Sequence, residues 1–260
     1  MAEVLLKHAA SRVLITGASS GIGAELARRF HRGGHRVILT ARRRDRLEAL
    51  AAELGGAEVV PADLADPAAP AQLFATTGPV DILVNNAGFG AGGRFAELGL
   101  GLQLSMLQVN VTALTELTHR YLAPMRGDGR GRILNIASTV AFQPAPGLAL
   151  YGASKAFVLA LSEALWSELE KTGVTVTCLC PGSTATDFFT VAGMGGSPFR
   201  GEMSPARVAD IGYTATMAGR RLAIAGLANR IMANSVRFAP RALVLRLAKK
   251  ILQQSARDPA

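Results

Sequence analysis

The chain has 260 residues, 49% of them hydrophobic and 18% charged, with 28 glycines and a net charge of +9. This describes a turn-rich globular protein, not a disordered one, long enough to bury a substantial core as a single domain spanning residues 1–260. No apolar run has the length of a membrane span, and the excess charge does not suggest nucleic acid: from Arg200 to Ala260, 11 Arg and Lys face only Glu202, Asp210 and Asp258, interleaved with Leu, Ile, Val and Met and not with base-stacking aromatics.

Residues Met1 to Ser11 carry Glu3 before a very short apolar pair and lack the core of a signal peptide, so the expectation is a cytoplasmic protein. Arg12–Thr16 is a short apolar run that ends in Gly17-Ala-Ser-Ser-Gly21-Ile-Gly23 and is followed by a helical pattern from Ala24 to Arg32. Strand, glycine turn and helix in that order let the backbone approach a pyrophosphate while the helix N-terminus offers N–H groups and the positive end of its dipole.

The next strand, Arg36–Thr40, ends in Ala41-Arg42-Arg43-Arg44, where a fold reading NAD would place Asp or Glu against the ribose 2′-hydroxyl. Arginine suits a 2′-phosphate, which favours NADP(H) over NAD(H); a solvated charge run opening the helix from Asp45 to Leu54 is the other reading. A third strand is expected over Ala57–Pro61, leading to Ala62-Asp63-Leu64, and Asp66-Pro67 reads as a helix start. Val80–Val84 is a fourth strand that runs into Asn85-Asn86-Ala87-Gly88, at the strand end where open α/β sheets bind ligands.

A long helix is expected from about Leu98 to Met125, with Asn110 inside it as either a tolerated residue or a local opening. Gly131–Ala137 is the fifth strand, with Ser138 at its end. In the next helix, Tyr151 to Lys171, Tyr151 and Lys155 stand four positions apart, so phenol and ammonium share one face and form a possible general acid/base pair. A lysine close to a tyrosine favours the tyrosinate, and the pair is expected to lower the phenol pKa.

Val174–Cys180 is the sixth strand, stopped by Pro181-Gly182. Its two cysteines, Cys178 and Cys180, alternate onto one face and read as buried small side chains; the four histidines fall in no ligand spacing, and no metal site is expected. Residues 183–203 break the rhythm with glycines and with Phe188, Phe189, Met194 and Phe199, the composition of a substrate lid or of a surface loop. Ser204-Pro205 caps a helix to about Met217, and Arg221–Ala225 is a seventh strand. Over about 227–260 the tail is basic and amphipathic: from Arg241, Leu243, Val244, Leu247 and Ile251 gather opposite Arg246, Lys249 and Lys250, which fits an interfacial helix or one packed on the domain or on a subunit partner. Alternation of strand and helix throughout implies a doubly wound, Rossmann-type α/β fold with a mainly parallel seven-stranded sheet.

Together these residues resemble the short-chain dehydrogenase/reductase family, over roughly Arg12 to Met217 and in family order: Thr16 to Gly23, Asn85 to Gly88, Asn110, Ser138, Tyr151 with Lys155, and Pro181-Gly182 with Thr186. The tail beyond Arg221 is similar to that of a DltE-like subgroup. The resemblance implies that Tyr151 exchanges a proton with the substrate oxygen, that Lys155 lowers its pKa and bonds the nicotinamide ribose, that Ser138 holds the substrate oxygen, and that Asn110 supports a water restoring the proton supply. It implies that Gly17, Ser19, Ser20, Ile22 and Gly23 hold the pyrophosphate and its surroundings, Arg42 the 2′-phosphate and Asp63 the adenine amino group, with Leu64 also binding the cofactor. Asn85, Ala87 and Gly88 would line the adenosine ribose side, with Thr184 and Thr186 near the carboxamide and Pro181 and Gly182 also binding the cofactor. Where many NADP-preferring relatives carry a basic residue before the second glycine, this chain has Ser20. The resemblance also implies a homo-dimer or homo-tetramer. The expected activity is hydride transfer between NADP(H) and a small-molecule carbonyl/alcohol substrate, which the apolar lid suggests is an apolar ketone or secondary alcohol such as a lipid, steroid-like or acyl-chain compound; a dinucleotide-binding sensor or scaffold with little turnover is the alternative. The tail leaves open a peripheral contact with membrane.

Overall fold

The computed structural model describes residues 11–186, 188–193 and 202–255. Strands β1 (Arg12–Thr16), β2 (Arg36–Thr40), β3 (Glu58–Val59), β4 (Ile82–Asn85), β5 (Gly131–Ile136), β6 (Val174–Cys180) and β7 (Leu222–Ile224) form one sheet in the order β3-β2-β1-β4-β5-β6-β7. Every pairing is parallel, with Leu14 opposite Ile38 on one side and Leu83 on the other. The helices are α1 (Gly21–Arg32), α2 (Arg44–Glu53), α3 (Ala69–Thr77), α4 (Leu100–Leu107), α5 (Leu114–Gly127), α6 (Ala149–Glu168), α7 (Phe188–Val191), α8 (Pro205–Met217), α9 (Leu227–Ser235) and α10 (Arg241–Ser255).

Side chains alternate across each strand, so one strand supplies two cores. Val13 and Ile15 pack with Leu26, Phe30, Leu47 and Val208 under α1, α2 and α8; Leu14, between them, packs with Leu73, Leu117, Tyr121 and Met125 under α3 and α5. Apolar burial on both faces is what a parallel sheet requires, and it explains the unbroken hydrophobic runs of β1 and β4. Cys178 and Cys180 are buried free thiols 3.9 Å apart, packed with Val158 and Leu159 of α6.

The chain leaves β1 toward β2 and β3, then crosses back to place β4 on the opposite side of β1. The carboxyl ends of β1 and β4 therefore flank a switch point, where connections diverge and leave a crevice.

Several expected boundaries move. β3 keeps two residues because it is an edge with β2 as its neighbour; Val60 and Ala62 still donate to Leu39 and Ala41 at 3.0 and 3.1 Å, but Pro61 between them has no N–H to give. Asp66 does not start a helix: its carboxylate accepts from the Ala68 N–H in a turn, and α3 begins at Ala69 with Pro70 behind it. The long helix is α4 and α5 joined by a π-helical segment, Gln108–Ala113, and Asn110 lies in it. In the 183–203 region, Thr184 pairs with Met203 and α7 forms a short helix; Met194 and Phe199 lie outside the described residues.

Candidate active site

The cleft over the switch point has a volume of about 410 Å³ and is lined from the ends of β1, β2, β4, β5 and β6 and from α6. At its floor, Gly17 turns with φ +67°, and a Cβ on Gly23 would collide with the Gly17 carbonyl. The turn therefore closes only with glycine at these positions. Helix α1 starts there with no side-chain cap and no acidic residue in its first turn, leaving its leading N–H groups and positive dipole end open to an anion.

The turn is clamped to β4. Thr16 Oγ1 accepts from the N–H groups of Asn86 and Ala87 at 3.0 and 2.9 Å, and Asn86 Nδ2 donates to the carbonyls of Thr16 and Gly17 at 2.9 and 3.1 Å. Thr186 packs on the other side, its Cγ2 3.1 Å from where a Cβ on Gly21 would stand. Ser19, Ser20, Ile22, Ala87, Gly88, Pro181, Gly182 and Thr184 also line the cleft. These features fit the pyrophosphate of a dinucleotide on an observation independent of motif order: an uncapped helix end beside a turn with no room for side chains.

At the β2 end, Arg42 and Arg43 both line the cleft, and Arg43 reaches back across it, donating to Ser19 Oγ and Ser20 Oγ at 2.9 Å each. Arg43 thus places a cation beside position 20, where the chain carries Ser20. Asp63 and Leu64 form the neighbouring wall; Asp63 Oδ1 accepts from the Ala65 N–H at 3.0 Å, so the carboxylate stabilises its own turn as well as facing the cleft.

Asn85 does not line the cleft, contrary to the expectation. It is buried in the sheet, its Nδ2 donating to Thr118 Oγ1 at 3.0 Å and to Asn135 Oδ1 at 2.9 Å, and Asn135 in turn donates to Ser162 at 2.9 Å. The pleat explains this: successive residues face opposite ways, so with Asn86 turned toward the glycine loop its neighbour points into the protein.

At the opposite end, Tyr151, Ser138 and Lys155 meet. Burial pushes the Tyr151 phenol up, and the neighbouring Ser138 hydroxyl opposes that shift. Lys155 is buried too, which lowers its pKa to about 8. Its ammonium donates to the Ile136 carbonyl at 2.8 Å and lies 5.8 Å from the centre of the Tyr151 ring. The expected lowering of the phenol pKa by Lys155 is therefore not found: desolvation governs the tyrosine, and Ser138 is the group that counters it. Ser138 also accepts from the Val140 N–H at 3.3 Å, capping a 3₁₀ turn over Thr139–Phe142.

Asn110 stands behind this group and not in the cleft wall. Its Nδ2 donates to the Phe89 carbonyl at 2.9 Å and to Ser154 Oγ at 3.1 Å, while its Oδ1 accepts from the Phe89 N–H at 3.1 Å. A Cβ on Gly88 would lie 3.0 Å from Asn110 Oδ1 and 3.3 Å from Lys155 Nζ, so glycine at 88 is what lets the two approach.

Matched against family models, residues 11–193 fit that of the short chain dehydrogenase. The chain belongs to that family. Among curated relatives, serine 3-dehydrogenase of Agrobacterium fabrum is 41% identical over 69% of this chain and 74% of its own. A short-chain dehydrogenase from Sphingobium yanoikuyae, solved in complex with NADPH, is 37% identical with a TM-score of 0.80 over 86% of this chain and 92% of its own. The bulky-bulky ketone specific alcohol dehydrogenase from Comamonas testosteroni is 33% identical with a TM-score of 0.77 over 90% and 93%.

As a short chain dehydrogenase, the protein is an oxidoreductase of the dehydrogenase/reductase class. The contacts that support the cleft escape a reading of the sequence: Thr16 with Asn86, Arg43 with Ser19 and Ser20, and Ser154 with Asn110 meet through space in ways that no spacing encodes. The asparagine pair at 85–86 was the available signal, and strand alternation could have assigned the second residue to the loop. Phe188 is a further member: it lies 5.1 Å from the Tyr151 ring, with its Cζ 2.7 Å from where a Cβ on Gly90 would stand. The Gly92 N–H donates to the Ala192 carbonyl at 2.8 Å, joining the loop after β4 to the end of α7.

Proposed function

We propose that the chain is an NADP(H)-dependent oxidoreductase acting on an apolar ketone or secondary alcohol. The observation that carries the reading is the phenol of Tyr151 placed between a polar wall, Ser138 and Lys155, and an apolar one, Phe89, Val140, Leu148 and Phe188. A carbonyl could bond to the first while its substituents rest on the second. Arg42 and Arg43 support the phosphorylated dinucleotide, because two cations and no carboxylate follow β2 at the cleft; the NADPH bound in the Sphingobium relative agrees. The bulky ketone named for the Comamonas relative agrees with the apolar wall.

The dinucleotide, when bound, supplies or accepts the hydride. In reduction, Tyr151 gives its proton to the substrate oxygen, a role suited to a phenol whose pKa is raised and which is protonated at neutral pH. Ser138 donates a hydrogen bond to the same oxygen as negative charge develops there. Lys155, held by Ile136, offers its remaining N–H groups to the ribose and to the re-protonation of the phenol. Both Nδ2 hydrogens of Asn110 are already committed, so a water in the relay would meet its backbone, opened by the π-helical segment, or the spare lone pair of Oδ1.

The test is oxidation of NADPH with a panel of bulky aryl and alicyclic ketones, followed by absorbance of the reduced nicotinamide. Turnover that prefers these ketones to small polar carbonyls, and NADPH to NADH, is the expected result. Tight NADPH binding with no turnover across the panel would reassign the chain as a dinucleotide sensor.

A further inference from the structure

The segment from residue 211 to 257 contains nine Arg and Lys and no Asp or Glu. Six of those cations, Arg230, Arg237, Arg241, Arg246, Lys249 and Lys250, are exposed on α9, α10 and the stretch joining them. The same elements expose large apolar side chains: Phe238 is 89% accessible, Leu227 73% and Ile231 63%, with Leu243 and Leu247 also exposed. Leu227 and Ile231 are one turn apart on α9, as are Leu243 and Leu247 on α10, so each pair shares a helix face. Helix α10 is anchored by a different face, because Val244 and Ala248 are buried. The outward leucines are therefore not those that hold it to the protein.

We infer that the α9–α10 face docks on an anionic lipid surface. A bilayer interface accepts both halves of this face, since acyl chains take Phe238 and the leucines while acidic headgroups take the cations. A second copy does not: a two-fold interface would set this patch against itself, bringing six cations onto six with no carboxylate from residues 211–257 to offset them. Nucleic acid would leave the aliphatic side chains in water. The contact is peripheral, because no described helix is long and apolar enough to cross a membrane.

Docking also bears on access to the cleft. Asn229 of α9 donates to the Ala225 carbonyl at 2.6 Å and lies against Gly182 of the cleft wall, where a Cβ would collide with its amide. Asn229 faces away from Leu227 and Ile231, so α9 itself stands between the docked face and the cleft wall, and the cleft lies one helix diameter from the docked surface, which would suit uptake of a membrane-dissolved substrate. That consequence rests on the apolar-substrate reading, whereas the docking does not.

The experiment is sedimentation of the full chain with phosphatidylcholine vesicles with and without phosphatidylserine, at low salt. Binding is expected only with phosphatidylserine. Arg246→Gln/Lys249→Gln/Lys250→Gln should weaken it about 100-fold, at roughly 1 kcal/mol per cation near the surface. Ile231→Ser/Phe238→Ser should weaken it about tenfold or more through lost apolar insertion. Arg32→Gln/Arg36→Gln/Arg126→Gln, which removes equal charge from exposed positions elsewhere, should leave it unchanged. Circular dichroism checks that each variant is folded. The inference is overturned by no binding, by an equal loss in the control triple, by insensitivity to the apolar pair, or by light scattering that shows the apolar pair instead abolishing self-association. Vesicle binding needs no turnover, so its failure and that of the ketone assay are distinguishable.

Discussion

Lys155 Nζ donates to the Ile136 carbonyl at 2.8 Å and stands 5.8 Å from the centre of the Tyr151 ring, so the ammonium is tied to the end of β5 and not to the phenol. Burial lowers its pKa from 10.5 to about 8. For a base whose folded pKa lies below its unfolded one, the unfolded chain binds more protons between the two values. The cost of burying the charge is thus full below about pH 8 and falls away as pH rises toward 10.5. Lys155→Met should stabilise the cofactor-free protein at neutral pH. The shift corresponds to about 3 kcal/mol, offset by roughly 1–2 kcal/mol for the carbonyl deprived of its donor, which leaves a gain of a few degrees in Tm. Thermal melts across pH check this; a variant less stable at neutral pH, or a gap that fails to narrow in alkali, would refute the assignment.

The tyrosine titrates the other way. With burial raising its phenol and Ser138 opposing, Tyr151 remains an acid throughout the neutral range. Ketone reduction should therefore be flat in pH through neutrality, and alcohol oxidation, which needs the phenolate, should accelerate as pH rises. Tyr151→Phe should lower kcat by about 10²–10⁴-fold with NADPH affinity nearly unchanged. Ser138→Ala should slow both directions and move the oxidation profile to higher pH. A Ser138→Ala profile unmoved on the pH axis would show that the hydroxyl does not act on the phenol.

Much of this was legible in the sequence, for identifiable reasons. A parallel sheet buried on both faces leaves unbroken apolar runs, as at Val13–Ile15 and Ile82–Val84, and glycine turns follow them, so strand order along the chain and the dinucleotide cleft followed. What escaped depends on direction and distance. Asn85 and Asn86 are equivalent as letters, and only the pleat decides which side chain enters the sheet. The electrostatic pairing of Tyr151 with Lys155 was inferred from helical spacing, which gives a shared face but not the competing Ile136 carbonyl. The interruption at Gln108–Ala113 was anticipated only as a possible opening at Asn110, since a π-helical register leaves no compositional signature.

The two cleft-lining arginines after β2, Arg42 and Arg43, should both report on the 2′-phosphate. Arg43 bonds both serine hydroxyls of the glycine turn, so its loss removes a cation and also frees Ser19 and Ser20. Arg43→Ala should raise KM for NADPH by roughly 10–100-fold, the scale of a charge-assisted hydrogen bond, with KM for NADH little changed. Arg42→Ala should have an effect of the same sign. Initial rates with both dinucleotides provide the measurement, and a loss shared equally between NADPH and NADH would remove both residues from 2′-phosphate recognition.

Asn85 supplies a contrasting case, because its bonds tie β4 to Thr118 of α5 and to Asn135 of β5, away from the cleft. Asn85→Ala should cost about 1–3 kcal/mol of stability through the unpaired partners it leaves, seen as a lower urea midpoint, while KM for NADPH stays at the wild-type value. A raised KM in a variant of unchanged stability would return Asn85 to the cofactor site.

Gly90 tests the apolar wall. A Cβ there would come within 2.7 Å of Phe188 Cζ, closer than carbon atoms tolerate, and within a tight 3.3 Å of Tyr151 Cδ2, and the ring of Phe188 is the more readily displaced of the two because α7 is a single short turn. Gly90→Ala should therefore push Phe188 off the phenol, raising KM for bulky ketones several-fold with smaller changes in kcat and in NADPH affinity. Phe188→Ala in the same background gives the added methyl room, and it should restore kcat/KM relative to Gly90→Ala alone for the bulkiest ketones. The sign of that double-mutant coupling decides the matter: strictly additive losses would mean that Gly90 and Phe188 do not meet over the substrate, and the apolar wall would then have to be placed elsewhere in the cleft.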